Sequence, residues 1–263
     1  MTNTTTLTKP VFITADWNAP KNVKTLITTR VGGFSTGNYG TFNLAFHVED
    51  NLEIVEKNRQ ILSQHLPGNP YWLNQIHSNI AVDLDDSQSL AHVTVSGNIN
   101  ADASFTTIKN TVCTVMTADC LPIFLTDTSG RFVAAIHAGW KGLYNEIIKN
   151  TIELILNKTK IDIKNIIAYI GTAICQKHYE VNHELFDKFT ALNKDNEQFF
   201  SHKPNHKFNC NLAGIAQMQL KNTGVLNTNT FLSKQCTFCD SELFYSYRKQ
   251  SITGRFASCI WLE

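Results

Sequence analysis

The chain is 263 residues long, with 43% hydrophobic and 17% charged residues and a formal net charge of +1. That length accommodates one large α/β domain or two fused halves, either with a substantial core. The near-neutral charge argues against nucleic acid, whose recognition needs a basic field.

The opening MTNTTTLTKPVF lacks the basic start and apolar run of a secretory leader, and no stretch reaches the roughly 18 apolar residues of a membrane span. The expectation is a cytoplasmic protein with no membrane partner. Seven cysteines scattered without a scaffold spacing read as reduced thiols. No repeat or Pro/Gly linker divides the chain, so residues 1–263 are expected to form one unit.

In chain order, KTLITT (24–29) predicts a strand running into the Gly-rich loop RVGGFSTGNYG, and IVEKNRQILSQHL (54–66) predicts a helix. PYWLNQIHSNIAVDLD reads as a strand carrying His77. From Thr111 the pattern is apolar strand, turn, apolar strand: TVCTVMT, the ADC corner, LPIFLTD, a turn at Ser129-Gly130, and RFVAAIHAG. Leu143, Ile147, Ile148, Ile152, Ile155 and Leu156 recur at helical spacing and predict one amphipathic helix from Gly142 to about Asn157. NIIAYIGTAI (165–174) follows as a strand, HELFDKFTAL as a helix, and the terminal FASCIWL as a strand. Strands with helices between them indicate an α+β fold of mixed sheets.

Two residues in the central region suggest chemistry. Cys120 and His137 sit at the ends of apolar segments beside small residues, joined by what reads as a β-hairpin, so both fall near one sheet edge. Asp119 and the Asp102 of Ala-Asp-Ala are carboxylates able to orient an imidazole or act as a base. Two readings stand open. One is a Cys nucleophile with a His base; the other is a catalytic zinc site of one Cys and two His, for which His77 of NQIHSN is the third candidate ligand.

The series TTRVGGFSTGNYGTFNL, HVEDN with KNR, NQIHSN, ADA, TADCLPI, AAIHAGWKG, GTAICQKHYEV and FYSYRKQSITGRFASCIWL resembles, in order and over nearly the full length, the bacterial YfiH-like family. That family is labelled multicopper polyphenol oxidase or laccase-domain protein, and also peptidoglycan editing factor. The resemblance implies a zinc site at His77, Cys120 and His137, and an α+β fold of layered sheets and helices related to deamidating toxins. The chain departs from the family pattern at Gly171-Thr172-Ala173-Ile174-Cys175-Gln176, where G-P-A-I-G-P is frequent, and at Tyr247-Arg248-Lys249-Gln250, where Y-R-R-D is frequent.

The resemblance further implies phosphorolysis of the purine nucleosides adenosine, inosine, guanosine and methylthioadenosine, with adenosine deamination. Zinc lowers the pKa of water to about 7, which suits attack on purine C6, with Asp119 or Asp102 to shuttle the proton. Phosphate needs an anion pocket, for which Arg30, Arg248 and Arg255 are the candidates, Arg30 foremost because the adjoining Gly-rich loop offers backbone N–H groups.

The alternative is an amidase removing L-Ser from a UDP-muramyl precursor. A multicopper oxidase is disfavoured, since nine His without one His-x-His pair do not build a trinuclear cluster, although copper at the Cys/His site is possible. A zinc-stabilised binding module would need a fourth ligand. Cys236-Thr237-Phe238-Cys239 is a lone C-x-x-C read as ordinary reduced thiols, and His202 and His206, with Pro204 between them, as a surface loop.

Overall fold

The computed structural model describes residues 9–95 and 98–263; residues 1–8, most of the stretch read for a leader, lie outside the described residues. Two large mixed sheets form the middle of the molecule. The seven-stranded sheet runs, in spatial order, Phe12–Ile13, Val23–Thr28, Phe256–Leu262, Val112–Thr117, Pro70–Asn74, Asn98–Asn100, Thr94–Val95. The six-stranded sheet runs Thr230–Leu232, Ile166–Ile170, Leu121–Asp127, Val133–Ala138, Ala103–Thr106, Ala81–Asp83.

The inner strands are apolar on both faces because both faces are covered. On the Leu121–Asp127 strand, Leu121, Ile123 and Leu125 pack with Ile148, Ile152 and Ile155 of the Ile147–Thr159 helix and with Ile215 and Leu220 of the Leu212–Thr223 helix. Phe124, one position out of phase, faces the opposite way and joins Val115, Ile260, Val133 and Tyr169 in the layer between the sheets. The outer face of the larger sheet carries Leu26, Val112, Met116, Cys259 and Trp261 against Phe42, Leu44 and Leu62, the last on the Leu52–Ser63 helix. Helix, sheet, sheet and helices therefore stack as layers, the α+β arrangement expected. No helix of the described residues is long and apolar enough to cross a membrane.

Three local expectations are corrected and one helix is added. His77 is not on a strand: pairing stops at Asn74 and resumes at Ala81, and between them the chain turns through His77 at φ 59°. The Asp102 carboxylate takes the amides of His77 and Ser78, at 3.0 and 2.6 Å, doing for this loop what a neighbouring strand would otherwise do. The single helix from Gly142 is two, Trp140–Tyr144 and Ile147–Thr159, because Glu146 between them adopts the left-handed region. His202 lies on Phe200–Lys203, which pairs with Lys207–Cys210 as a hairpin in a small third sheet with Glu180–Asn182, while His206 is in its turn at φ 55°. The Leu212–Thr223 helix was not anticipated at all; it starts at an Asn211 cap that accepts from the Gly214 amide and ends on left-handed Gly224.

Candidate metal and substrate centre

Cys120 occupies the corner where the chain leaves Val112–Thr117 of one sheet and enters Leu121–Asp127 of the other. Asp119 makes that corner at φ 97°, an arrangement held by its own carboxylate, which accepts from the Thr237 hydroxyl and the Arg248 amide, both at 2.6 Å. Across the hairpin His137 pairs with Pro122 and Ala138 with Leu121, so the register brings Gly139 up beside Cys120. Gly139 is required by space: a Cβ there would stand 2.9 Å from Cys120 Sγ and 3.1 Å from His77 Cδ2. Gln75 fastens the third element, exchanging hydrogen bonds with the backbone of Met116 at 2.7 and 2.8 Å just before the chain reaches His77.

These devices bring His77, Cys120 and His137 together, with one donor atom of each within 4.8 Å of the others. Cys120 Sγ is 3.9 Å from His77 Nε2, and the two imidazoles meet edge to face with centroids 4.7 Å apart. Nδ1 of His137 is bound to Asp102 at 2.7 Å, which leaves its Nε2 for the centre. Burial opposes ionisation of the Cys120 thiol, yet the His137 charge and hydrogen bonds from His137 and His77 bring its pKa down to about 6. Burial likewise opposes protonation of His137, and Cys120 and Asp102 together push it up to about 9. Without metal, the two form a thiolate–imidazolium pair near neutrality. One thiolate and two imidazoles are the donor set of an open catalytic zinc site with a fourth position for a small ligand. The same donors accept copper.

The centre lies in a cavity of 610 Å³ that is also lined by Asp119, Arg248 and Arg255. Arg248 stacks on Tyr179 and donates to the Glu180 carbonyl, while Arg255 donates to the carbonyls of Thr253 and Gly254. Burial holds the Arg255 pKa below its ordinary value.

Arg30 is not brought to the cavity. Its guanidinium stacks on Tyr245 and donates to the carbonyls of Gly40 and Ser241, each at 2.9 Å. The loop amides next to Arg30 are also engaged within the protein, those of Gly32 and Gly33 being donated to the Thr41 hydroxyl and that of Phe34 to Asn58. Asp102 is fully buried, with His137, the Ser78 hydroxyl and the loop amides on its oxygens. Asp102 therefore positions other groups and has no oxygen left for a proton shuttle, whereas Asp119 accepts one hydrogen bond on each oxygen and lines the cavity.

Sequence reasoning assigned no role to His47, Gln75, Trp140, Lys141, Tyr179 or Tyr247, which also line the cavity. All six fall within stretches quoted for the family resemblance, but nothing in their spacing assigns them a place beside Cys120. Burial and the charge of Arg255 hold His47 below its ordinary pKa, so it faces the cavity as a neutral imidazole near pH 7.

The model of a family described as multi-copper polyphenol oxidoreductase laccase matches residues 24–263. A Haemophilus influenzae protein named purine nucleoside phosphorylase is 39% identical over 257 residues, covering 95% of this chain and 99% of its own. The Escherichia coli protein named purine nucleoside phosphorylase YfiH is 36% identical over 254 residues, covering 95% and 98%. Among solved structures, a Neisseria meningitidis protein superposes with a TM-score of 0.87 at 41% identity, over 96% of this chain and 99% of that one. A Bacillus licheniformis hypothetical protein YfiH does so at 0.84 and 25% identity, over 92% and 93%. With the same layered fold and a match along almost its whole length, the chain belongs to the YfiH-like, laccase-domain family.

Proposed function

We propose that this protein is a purine nucleoside phosphorylase with adenosine deaminase activity, working at a zinc centre held by His77, Cys120 and His137. The observation that carries this reading is one cavity containing the three-donor centre, the arginines Arg248 and Arg255, and the aromatic side chains of Trp140, Tyr179 and Tyr247. The names of the relatives support the same reaction class.

The cations suit a phosphate dianion, Arg through its forked donors and Lys141 as a point charge. The aromatic rings suit a purine face. In phosphorolysis a phosphate oxygen bonds to ribose C1′ while the C1′–N9 bond breaks, its electron pair leaves with the purine, and the purine takes up a proton. The chain's contribution is to hold phosphate and nucleoside in line and to neutralise phosphate charge. Zinc, when bound, supplies Lewis acidity and lowers the pKa of water, the chemistry that deamination at C6 requires. Asp102 holds His137 through Nδ1, and Asp119 holds the corner of Cys120 and the backbone of Arg248.

Incubation with adenosine, with and without phosphate, and separately with a UDP-muramyl-L-Ser substrate, tests the assignment. Adenine and ribose 1-phosphate are expected only with phosphate, and inosine by a phosphate-independent route. Free serine without any purine product would replace the reading with that of an editing amidase.

A further inference from the structure

Cys175 and Cys236 are 61 positions apart, yet the fold lays their segments side by side: Ala173 bridges Cys236, and the Cys175 amide donates to Cys236 Sγ at 3.2 Å. His178 Nδ1 stands 3.3 Å from Cys175 Sγ and 3.4 Å from Cys239 Sγ. The three sulfurs and this nitrogen all lie within 4.8 Å of one another. Around a tetrahedral zinc with Zn–S of about 2.3 Å and Zn–N of about 2.0 Å, donors stand about 3.5–3.8 Å apart. The four donors are therefore near coordination spacing without moving the backbone.

The surroundings are built for such an ion. Besides Cys175, the amides of Phe238 and Cys239 point at Cys236 sulfur, the pattern that spreads the charge of a ligating thiolate over the turn of a C-x-x-C. The Cys236 amide is in turn held by Asp240 at 2.9 Å. Phe238 stacks flat on His178, with centroids 4.2 Å apart and planes 12° apart, which fixes the ring with Nδ1 toward the sulfurs. Cys236 is buried, Cys175 and His178 are half-buried and Cys239 is exposed, so an ion can enter from solvent. None of these residues belongs to the centre at His77, Cys120 and His137.

We infer that Cys175, His178, Cys236 and Cys239 form a second metal site, a closed Cys₃His centre for zinc. Binding forms three Zn–S bonds and one Zn–N bond and releases the thiol protons to solvent, with no change of oxidation state. Four protein ligands leave no position for substrate, so the ion is structural. It ties the segment leading to Tyr179, a wall of the catalytic cavity, to the turn whose Thr237 holds Asp119 at 2.6 Å. The C-x-x-C dismissed from sequence as ordinary thiols is thus half of a ligand set whose other half precedes it by about sixty residues.

Zinc per chain, measured on the full-length protein purified without chelator, tests this. The triple variant His77→Ala, Cys120→Ala, His137→Ala should keep about one zinc, and on exchange with cobalt(II) should show the intense thiolate-to-cobalt absorption of a tetrahedral multi-thiolate site. Cys175→Ser with Cys239→Ser should abolish that absorption, remove one equivalent from the otherwise wild-type chain and lower the melting temperature by roughly 5–10 °C. If the triple variant does not fold, judged by circular dichroism, the loss of one equivalent in the double variant decides the matter. A folded triple variant with neither zinc nor the cobalt band would overturn the inference. So would a disulfide between any two of Cys175, Cys236 and Cys239, read by peptide mapping of the denatured, unreduced protein.

Discussion

Cys120 is ionised near neutral pH although burial works against it, because His137 stands beside it and Asp102 stands behind His137. A lowered thiol pKa means that the thiolate persists down to about pH 6. Alkylation of Cys120 in metal-free protein should therefore rise with a midpoint near pH 6, and that midpoint should move up in His137→Ala. An unshifted midpoint near the ordinary thiol value, read by mass spectrometry of the labelled peptide, would dissolve the ion pair. Asp102→Asn removes the negative partner of His137 Nδ1 but keeps its shape. Zinc affinity at the His77 centre is expected to fall about 10- to 100-fold, measurable by chelator competition, if Asp102 orients the ligand as its hydrogen bonds indicate. Both residues were visible in the sequence as candidates. What spacing could not say was that the Asp102 oxygens are taken up by His137 and the loop of His77, while Asp119 is hydrogen-bonded at the cavity wall.

Among the elements, the Leu121–Asp127 and Val133–Ala138 hairpin is the part that sequence patterning described best, since its two apolar runs and its turn at Ser129-Gly130 are local signals. It also sets a strict test of packing. Gly139→Ala keeps an ordinary φ of −73°, so its cost is purely steric, from a Cβ 2.9 Å from Cys120 Sγ. We expect about 1–3 kcal/mol of lost stability in urea unfolding and a weakened metal centre. Unchanged zinc content and stability would show that the loop of His77 yields easily. That loop escaped the sequence because its backbone donors are satisfied by a carboxylate 24 to 26 positions away, and no periodicity marks such an arrangement. The break at Glu146 escaped for a similar reason, because the apolar repeat continues in phase across it.

For the molecule as a whole, the layered core and the cavity answer to different substitutions. Phe124→Ala, between the two sheets and stacked near Tyr169 and Trp17, should cost about 3–5 kcal/mol by urea unfolding. A cost below 1 kcal/mol would mean that the sheets can close over the gap. Arg248→Lys and Arg255→Lys should each raise KM for phosphate roughly tenfold while KM for nucleoside changes less, as the loss of a charge-assisted hydrogen bond would give. Arg30→Lys should leave phosphate dependence unchanged and lower the melting temperature, because its partners are the Gly40 and Ser241 carbonyls. Steady-state kinetics on the three variants separates a cavity arginine from a strut. Sequence alone determined the α+β class, most strand and helix positions, and the His77, Cys120, His137 set through its family resemblance, because burial periodicity and short motifs are local properties of the chain. Only the tertiary structure decided which arginines line the cavity, how the two carboxylates are hydrogen-bonded, and that Cys175 and His178 meet Cys236 and Cys239. Each depends on contacts between segments far apart in sequence, made when the sheets and loops close on one another.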